Sequence, residues 1–139
     1  MKEPQFILQG LRHLALRVSD MGKARAFYEG LLGMKVIWEP DPDNVYLSSG
    51  SDNLALHQIP KEQLSQFKTG SGQFMDHFGF VVENPDVVRA VFQVMHQAGT
   101  PIVKPLRAHR DGSVSFYLAD PDGNVIQILY EPNISRISK

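Results

Sequence analysis

The feature that most constrains the fold is an internal repeat. A strand pattern, a helix pattern that ends before glycine, and three further strand patterns occur once in each half of the chain. His13 lies in the first strand pattern of one copy, and His77 lies in the equivalent place of the other. Repetition of this kind indicates two copies of one supersecondary unit that pack together. We therefore expect an α+β fold of two βαβββ modules.

In the first copy, alternation of apolar side chains predicts a strand over residues 11–18, with His13 and Leu14 on opposite faces. Ser19 and Asp20 then supply an N-cap for a helix over residues 21–32. Three short strands follow, at residues 34–38, 45–48 and 54–58.

The second copy begins with a strand over residues 75–82, and Asn84 and Pro85 indicate the start of a helix over residues 86–98. A strand is expected at residues 102–103. The chain then forms a hairpin whose turn is rich in Asp, Pro and Gly, with strands at residues 113–118 and 125–130.

The last strand contains one polar residue, Gln127, between apolar neighbours. Its side chain shares a face with Val125 and Leu129, while Ile126 and Ile128 share the other face. An amide is costly to bury without a partner, so Gln127 is expected to face either water or a functional site.

Residues 60–74 are polar and rich in turn formers, which predicts a linker. The expected organisation is a first module over residues 1–59, the linker, and a second module over residues 75–139, all within one structural domain.

Composition excludes several classes of function. The net charge of −1 gives no broad attraction to nucleic acid or to an anionic membrane. The absence of cysteine excludes disulfides, thiolate nucleophiles and cysteine-based zinc sites. No apolar run of membrane-spanning length and no signal-peptide pattern is found, so a cytoplasmic protein is expected.

The two modules, the histidine in each first strand, the FYEGLLG helix end and the DPDGNVIQIL ending resemble the vicinal oxygen chelate superfamily. This group includes glyoxalase I, extradiol dioxygenases and bleomycin-resistance proteins. The resemblance covers residues 11–132 and implies an open, U-shaped mixed-sheet barrel, often completed in a homodimer. It also implies a divalent metal held by residues from the first and last strands of each module.

By position, the resemblance makes His13 and His77 metal ligands and places Gln127 where the family usually has glutamate. In the first module the equivalent position is Ala55, which cannot bind a metal. His57 lies two residues further, about 6–7 Å along the same strand face, and is a candidate ligand or base. A structural role remains the alternative for each histidine and for Gln127.

The candidate ligands carry no negative charge. Imidazole nitrogen suits Zn, Ni or Fe, whereas Mg prefers carboxylate oxygen, so a later divalent metal is expected. Glutamine in place of a carboxylate argues against the two-histidine-one-carboxylate chemistry of extradiol dioxygenases. It also removes the general base that isomerases of this family use.

Five further residues are candidates for substrate binding. His109 and Arg110 are expected at the mouth of the cavity, with Arg110 binding a carboxylate or phosphate, unless they form an ordinary exposed turn. Parity alone does not decide which face Tyr117 occupies. Trp38 and Phe74 flank predicted loops, either as an apolar ligand wall or as core residues.

Two functions follow as alternatives. One is a metal-dependent lyase, isomerase or dioxygenase, in which the metal stabilises an enolate or oxyanion of a small oxygen-bearing substrate. The other is a metal-free protein that binds or sequesters a small, antibiotic-like compound. The expected partners are a small molecule and a second copy of the chain.

Overall fold

The computed structural model describes residues 5–67 and 75–135, and within these ranges it contains two successive modules. The first comprises β1 (His13–Val18), α1 (Met21–Arg25), a π-helical turn (Ala26–Leu31), β2 (Lys35–Asp41), β3 (Asn44–Ser48) and β4 (Asn53–Gln58). A short 3₁₀ helix, Lys61–Gln66, follows. The second comprises β5 (Phe78–Val81), α2 (Pro85–Gln97), β6 (Ile102–Ala108), β7 (Val114–Ala119) and β8 (Val125–Tyr130). The predicted α+β fold of two βαβββ modules is confirmed.

Each module forms a four-stranded mixed sheet, and the two sheets have the same topology. The orders are β1-β4-β3-β2 and β5-β8-β7-β6. In each, the first strand pairs in parallel with the last, and the other neighbours are antiparallel. Equal topology places equivalent residues of the repeat at equivalent places in the two sheets.

Polar side chains begin both helices. The Asp20 carboxylate accepts a hydrogen bond from the backbone N–H of Lys23, and the Asn84 side chain accepts one from Val87. Each bond satisfies an N–H that has no partner within its own helix.

The region predicted as one helix over residues 21–32 changes its winding. After five α-helical residues it continues as the π-helical turn, which buries Phe27 and Tyr28. A π-helical turn holds more residues than an α-helical one, and apolar spacing alone does not distinguish the two.

Two strands of the second module differ in length from the prediction. The strand expected over residues 75–82 begins only at Phe78, so His77 lies immediately before it. The strand expected at residues 102–103 continues to Ala108 despite Pro105. Because β6 is an edge strand, a residue without an N–H is tolerated there.

One face of each sheet packs into the core. The fully buried side chains include Val18 and Leu56 from the first sheet and Phe116, Ile126 and Ile128 from the second. Successive side chains of a strand point to opposite faces, so the residues next to these buried ones lie on the other, open face of each sheet. His13 and Gln127 are among these.

Hydrogen bonds from the α1 region to the β7–β8 turn join the two modules. The Tyr28 hydroxyl, on a completely buried side chain, donates to Asp120 Oδ2 at 2.5 Å. The backbone N–H of Ser19 donates to Asp122 Oδ2 at 3.0 Å, and the Ser19 hydroxyl also donates to this carboxylate. The hairpin turn therefore connects the modules as well as reversing the chain.

Residues 68–74 of the predicted linker, including the candidate Phe74, lie outside the described residues. No helix within the described ranges is long and apolar enough to cross a membrane.

Candidate functional site

A cavity of about 280 Å³ lies where the two modules meet, and both His13 and His77 line it. The ends of β1 and β5 bring these residues together, although they belong to different sheets. Most of the wall is apolar, formed by Leu11, Leu14, Met34, Leu54, Phe78 and Phe80. Arg12, Asp52 and Asn53 complete the polar part of the lining. A largely apolar wall with a few polar groups is common in small-molecule sites.

Hydrogen bonds orient both imidazole rings. His13 Nδ1 lies 2.8 Å from Asn53 Oδ1, and His77 Nδ1 lies 2.6 Å from Asp76 Oδ1. Because these oxygens accept hydrogen bonds, Nδ1 carries the proton and Nε2 of the neutral ring keeps its lone pair. The hydrogen bond from His77 also lowers the pKa of Asp76. A ring held in this way is suited to bind a metal or a polar ligand through Nε2.

Gln127 lies beside the cavity rather than in its wall. On β8 it is paired with Gly79 of β5, which lines the cavity, and with Tyr117 of β7. A Cβ atom added at Gly79 would lie 3.0 Å from the Gln127 carbonyl oxygen and 3.5 Å from its Cβ. Glycine at this position therefore leaves room next to the Gln127 side chain. Within the described ranges, no hydrogen bond to that side-chain amide is found.

His57 is not brought together with His13. It is paired with Arg17 on β1, whereas His13 is paired with Asn53. Four residues of strand, about 13 Å, separate the two histidines along the sheet. His57 instead lies 2.6 Å from Asn44 through Nδ1, so its Nε2 is also the nitrogen with a free lone pair.

Trp38 lies near His57 rather than near the cavity. Its ring packs 4.9 Å from that of Tyr46, which in turn lies edge-on 5.9 Å from the His57 ring. The Trp38 side chain remains 58% exposed. This row of three rings forms an open aromatic surface on the first sheet.

Strand pairing decides the face of Tyr117. Its pairing with Gln127 places it on the open face of the second sheet. The Tyr117 ring lies edge-on 5.0 Å from His77, and Lys104 Nζ lies 5.0 Å from the ring centre. Tyr117 therefore contacts both a candidate ligand and a cation.

His109 lines a second cavity, of about 300 Å³, together with Lys104, Arg107, Ser115 and Tyr117. Arg110 is exposed in the adjoining turn and does not line it. Sequence reasoning missed Lys104, Arg107 and Ser115. Four basic residues, Lys104, Arg107, His109 and Arg110, occur within seven positions of the sequence, and this was the available signal.

In donor type, the two imidazoles fit a late divalent metal. However, no cluster of three or more His, Cys, Asp or Glu side chains in the described part of the chain is suitably placed to hold a metal. Two nitrogen ligands are fewer than the three protein ligands of a typical catalytic zinc site. A bound metal would need a further ligand, from the Gln127 amide or from a second copy of the chain.

Comparisons with known proteins agree with this fold. The family model described as Glyoxalase/Bleomycin resistance protein/Dioxygenase superfamily matches residues 10–128. The chain is 30% identical over 124 residues to Glutathione transferase FosA of Serratia marcescens, covering 88% of this chain and 81% of that protein. It is 33% identical over 132 residues to Virulence protein STM3117 of Salmonella typhimurium, covering 89% and 85% respectively. A glyoxalase/dioxygenase structure from Nostoc punctiforme superposes with a TM-score of 0.73 over 94% of this chain and 99% of that one. Since its sequence identity is 19%, this last likeness shows the fold alone.

Proposed function

Because the chain belongs to the glyoxalase/bleomycin resistance protein/dioxygenase superfamily, we propose that it binds a divalent metal and a small oxygen-bearing ligand between its modules. The observation that carries the proposal is the pair His13 and His77, which line one cavity with Nδ1 hydrogen bonded and Nε2 available. The two histidines come from different modules, and they meet in a wall whose other side chains are mostly apolar.

The residues that would hold the metal are His13 and His77, through Nε2, and Gln127, through its amide oxygen. Neutral ligands of this kind favour Zn, Ni or Fe over Mg. When bound, the metal supplies Lewis-acid stabilisation of an enolate or oxyanion. The apolar wall excludes water from one side of the ligand, which strengthens polar interactions at the two imidazoles.

A homodimer is part of the proposal. All seven residues of the edge strand β2 are exposed, including Ile37 at 54% and Trp38 at 58%. An exposed edge strand with apolar side chains is a surface that another chain can cover. A second copy is also a source of further metal ligands.

Calorimetric titration of the metal-free protein with Zn and Ni at pH 7.5 tests the metal site. We expect about one metal per chain, and at least ten-fold weaker binding for His13→Ala and for His77→Ala. His96→Ala is the matched control, since His96 is exposed on α2 and stacks on Phe92. Uptake of less than one metal per chain, or unchanged affinity in either cavity variant, contradicts the proposal.

Repeating the titration at pH 5.5 checks that imidazole is the ligand. Imidazole must lose its proton to bind metal, and its usual pKa is about 6.5, so affinity falls at the lower pH. Equal affinity at both pH values would point to oxygen ligands instead.

Gln127→Glu tests the third ligand. A carboxylate in the ligand set should raise the affinity for the metal by an order of magnitude or more, because it adds a negative charge next to a cation. The same affinity as the wild type places Gln127 outside the ligand set.

The second candidate function is metal-free binding of a small, largely apolar compound. It is favoured by the six apolar side chains in the cavity wall and by the absence of a three-residue acidic, histidine or cysteine cluster among the described residues. Under this alternative, ligand binding is unchanged by a chelator and by His77→Ala, whereas a bulky substitution at Leu14 abolishes it.

A further inference from the structure

We propose that the second cavity is a subsite for an oxyanion group, a carboxylate or a phosphate, of the small ligand. The inference rests on the proposed function for the ligand itself, which it assigns to the class of small organic anions. The subsite consists of Lys104, Arg107, His109, Ser115 and Tyr117 on β6, β7 and the turn between them.

Charge is the first argument. Lys104 and Arg107 each carry a positive charge at neutral pH, His109 adds a further nitrogen donor, and no acidic residue lines the cavity. None of the ion pairs found among the described residues involves Lys104, Arg107 or His109. Two cations facing one concave space without a carboxylate repel each other, and an anion between them removes that repulsion.

The two nearby carboxylates already have other partners. Asp76 accepts a hydrogen bond from His77, and Asp111 accepts one from the backbone N–H of Ser113. The hydrogen bond from His77 lowers the pKa of Asp76, with a smaller contribution from Lys104. Hydrogen bonds from the side chain and then the backbone of Ser113 lower the pKa of Asp111, with a smaller contribution from His109. Both carboxylates therefore stay charged, and neither fills the cavity.

Hydrogen-bonding geometry is the second argument. Ser115 is only 3% exposed, yet it lines the cavity and pairs in register with Arg107 on the neighbouring strand. A hydroxyl and a guanidinium side by side on one sheet face provide several donors in a fixed arrangement, which suits the oxygens of a carboxylate or phosphate.

Tyr117 connects this subsite to the histidine cavity. Its ring contacts the His77 ring at 5.0 Å and lies 5.0 Å from Lys104 Nζ, and it lines the second cavity. A ligand that places an anionic group beside Lys104 therefore has its remaining atoms directed past Tyr117 towards His77. The contact with the ring also restricts Lys104, which lowers the entropy lost on binding.

Binding of inorganic phosphate and of acetate, at an ionic strength held constant with sodium chloride, tests the subsite directly. Backbone amide shifts in ¹H–¹⁵N spectra are followed during each titration. Saturable shifts in β6 and β7 are expected for at least one anion. If only one of the two anions gives saturable shifts, that anion identifies the group that the subsite accepts. No saturable shift with either anion, or shifts centred on another surface, overturns the inference.

Lys104→Met and Arg107→Met remove one charge each while keeping a long side chain. Each is expected to weaken anion binding about five-fold, and the double variant at least ten-fold. Arg89→Met is the matched control, because Arg89 is exposed on α2 and lies outside both cavities. Equal weakening in the control shows a general charge effect and refutes the subsite.

Metal titration of the same variants separates this inference from the proposed function. Lys104→Met and Arg107→Met should take up Zn and Ni as the wild type does. Normal metal uptake without anion binding overturns the subsite alone. Saturable anion binding at β6 and β7 in a protein that takes up no metal supports the subsite and contradicts the metal proposal.

Discussion

Replacing Tyr28 by phenylalanine should weaken the junction between the two modules. The change removes only a hydroxyl, and that hydroxyl donates to Asp120 Oδ2 at 2.5 Å. Tyr28 is completely buried and Asp120 is 5% exposed, so water cannot replace the lost donor without rearrangement. The ring itself, which packs edge-on against Phe27 at 4.9 Å, is retained.

The size of the effect follows from the hydrogen bonds that remain. Asp120 keeps three of them, from the backbone N–H groups of Asp122 and Asn124 and from the Asn124 side chain, each at 2.9 Å. One hydrogen bond to a charged group contributes about 1.5–3 kcal/mol, so Tyr28→Phe should lower the free energy of unfolding by about 2 kcal/mol. For a chain of this size that corresponds to a decrease in Tm of roughly 6–8 °C.

The dependence on pH gives a second, independent readout. Burial, and then the negative charge of Asp120, raise the pKa of Tyr28 well above its ordinary value. A group whose pKa is higher in the folded state stabilises the fold fully below its unfolded pKa, which for tyrosine is about 10. That stabilisation is lost as pH rises further, so the difference between wild type and Tyr28→Phe should be constant from pH 7 to 9 and shrink above pH 10.

Urea unfolding at pH 7 and thermal unfolding from pH 7 to 11 measure both effects. Tyr130→Phe is the control, because the Tyr130 hydroxyl has no hydrogen-bond partner within residues 5–67 and 75–135, and its change should stay within about 0.5 kcal/mol. If Tyr28→Phe is as stable as Tyr130→Phe, or if its deficit grows above pH 10, the Tyr28–Asp120 contact does not hold the modules together.

Three further predictions concern assembly, domain organisation and a loop. Light scattering should give about twice the chain mass of 15.6 kDa at micromolar concentration, and a 15.6 kDa species would contradict the proposed homodimer. Limited proteolysis should cut first within residues 60–74, since the proposed linker is rich in turn formers; a first cut within residues 21–32 would refute that boundary. Asp52→Asn should lower Tm at pH 7, and the difference in Tm between variant and wild type should disappear as the pH falls below about 4. Although burial opposes it, hydrogen bonds from Ser49 and Ser48 hold the pKa of Asp52 below its usual value. An equal deficit at pH 3 would exclude this charge as the cause.

The repeat made the fold predictable from sequence. Strand alternation, two N-caps and the Pro-Asp-Gly turn each act over a few neighbouring residues, and the structure has all of them. Alternation also identified Gln127 as a residue on the open face of its strand, because the side-chain period of a strand is two.

The contacts that cross between modules could not be predicted in the same way. Tyr28 and Asp120 are 92 positions apart in the sequence. The sequence around each residue shows only that Tyr28 lies in a helix and Asp120 in a turn. Lys104 and Arg107 were missed because the expected strand ended at residue 103, whereas β6 continues to Ala108 with irregular pairing that breaks simple alternation. His57 was a candidate ligand because it shares a strand face with Ala55. The pairing of β4 with β1 nevertheless places it opposite Arg17 and not near His13.

The sheet topology also has a consequence for synthesis of the chain on the ribosome. Strand β5 has β8 as its partner among the described strands, and β8 consists of residues 125–130. Until those residues leave the ribosome, β5 is an unpaired edge that carries the half-buried Phe78 and Phe80. The strand next to His77 is thus the last of its sheet to gain a neighbour. A stall or truncation before residue 125 leaves a finished first sheet beside an aggregation-prone second one.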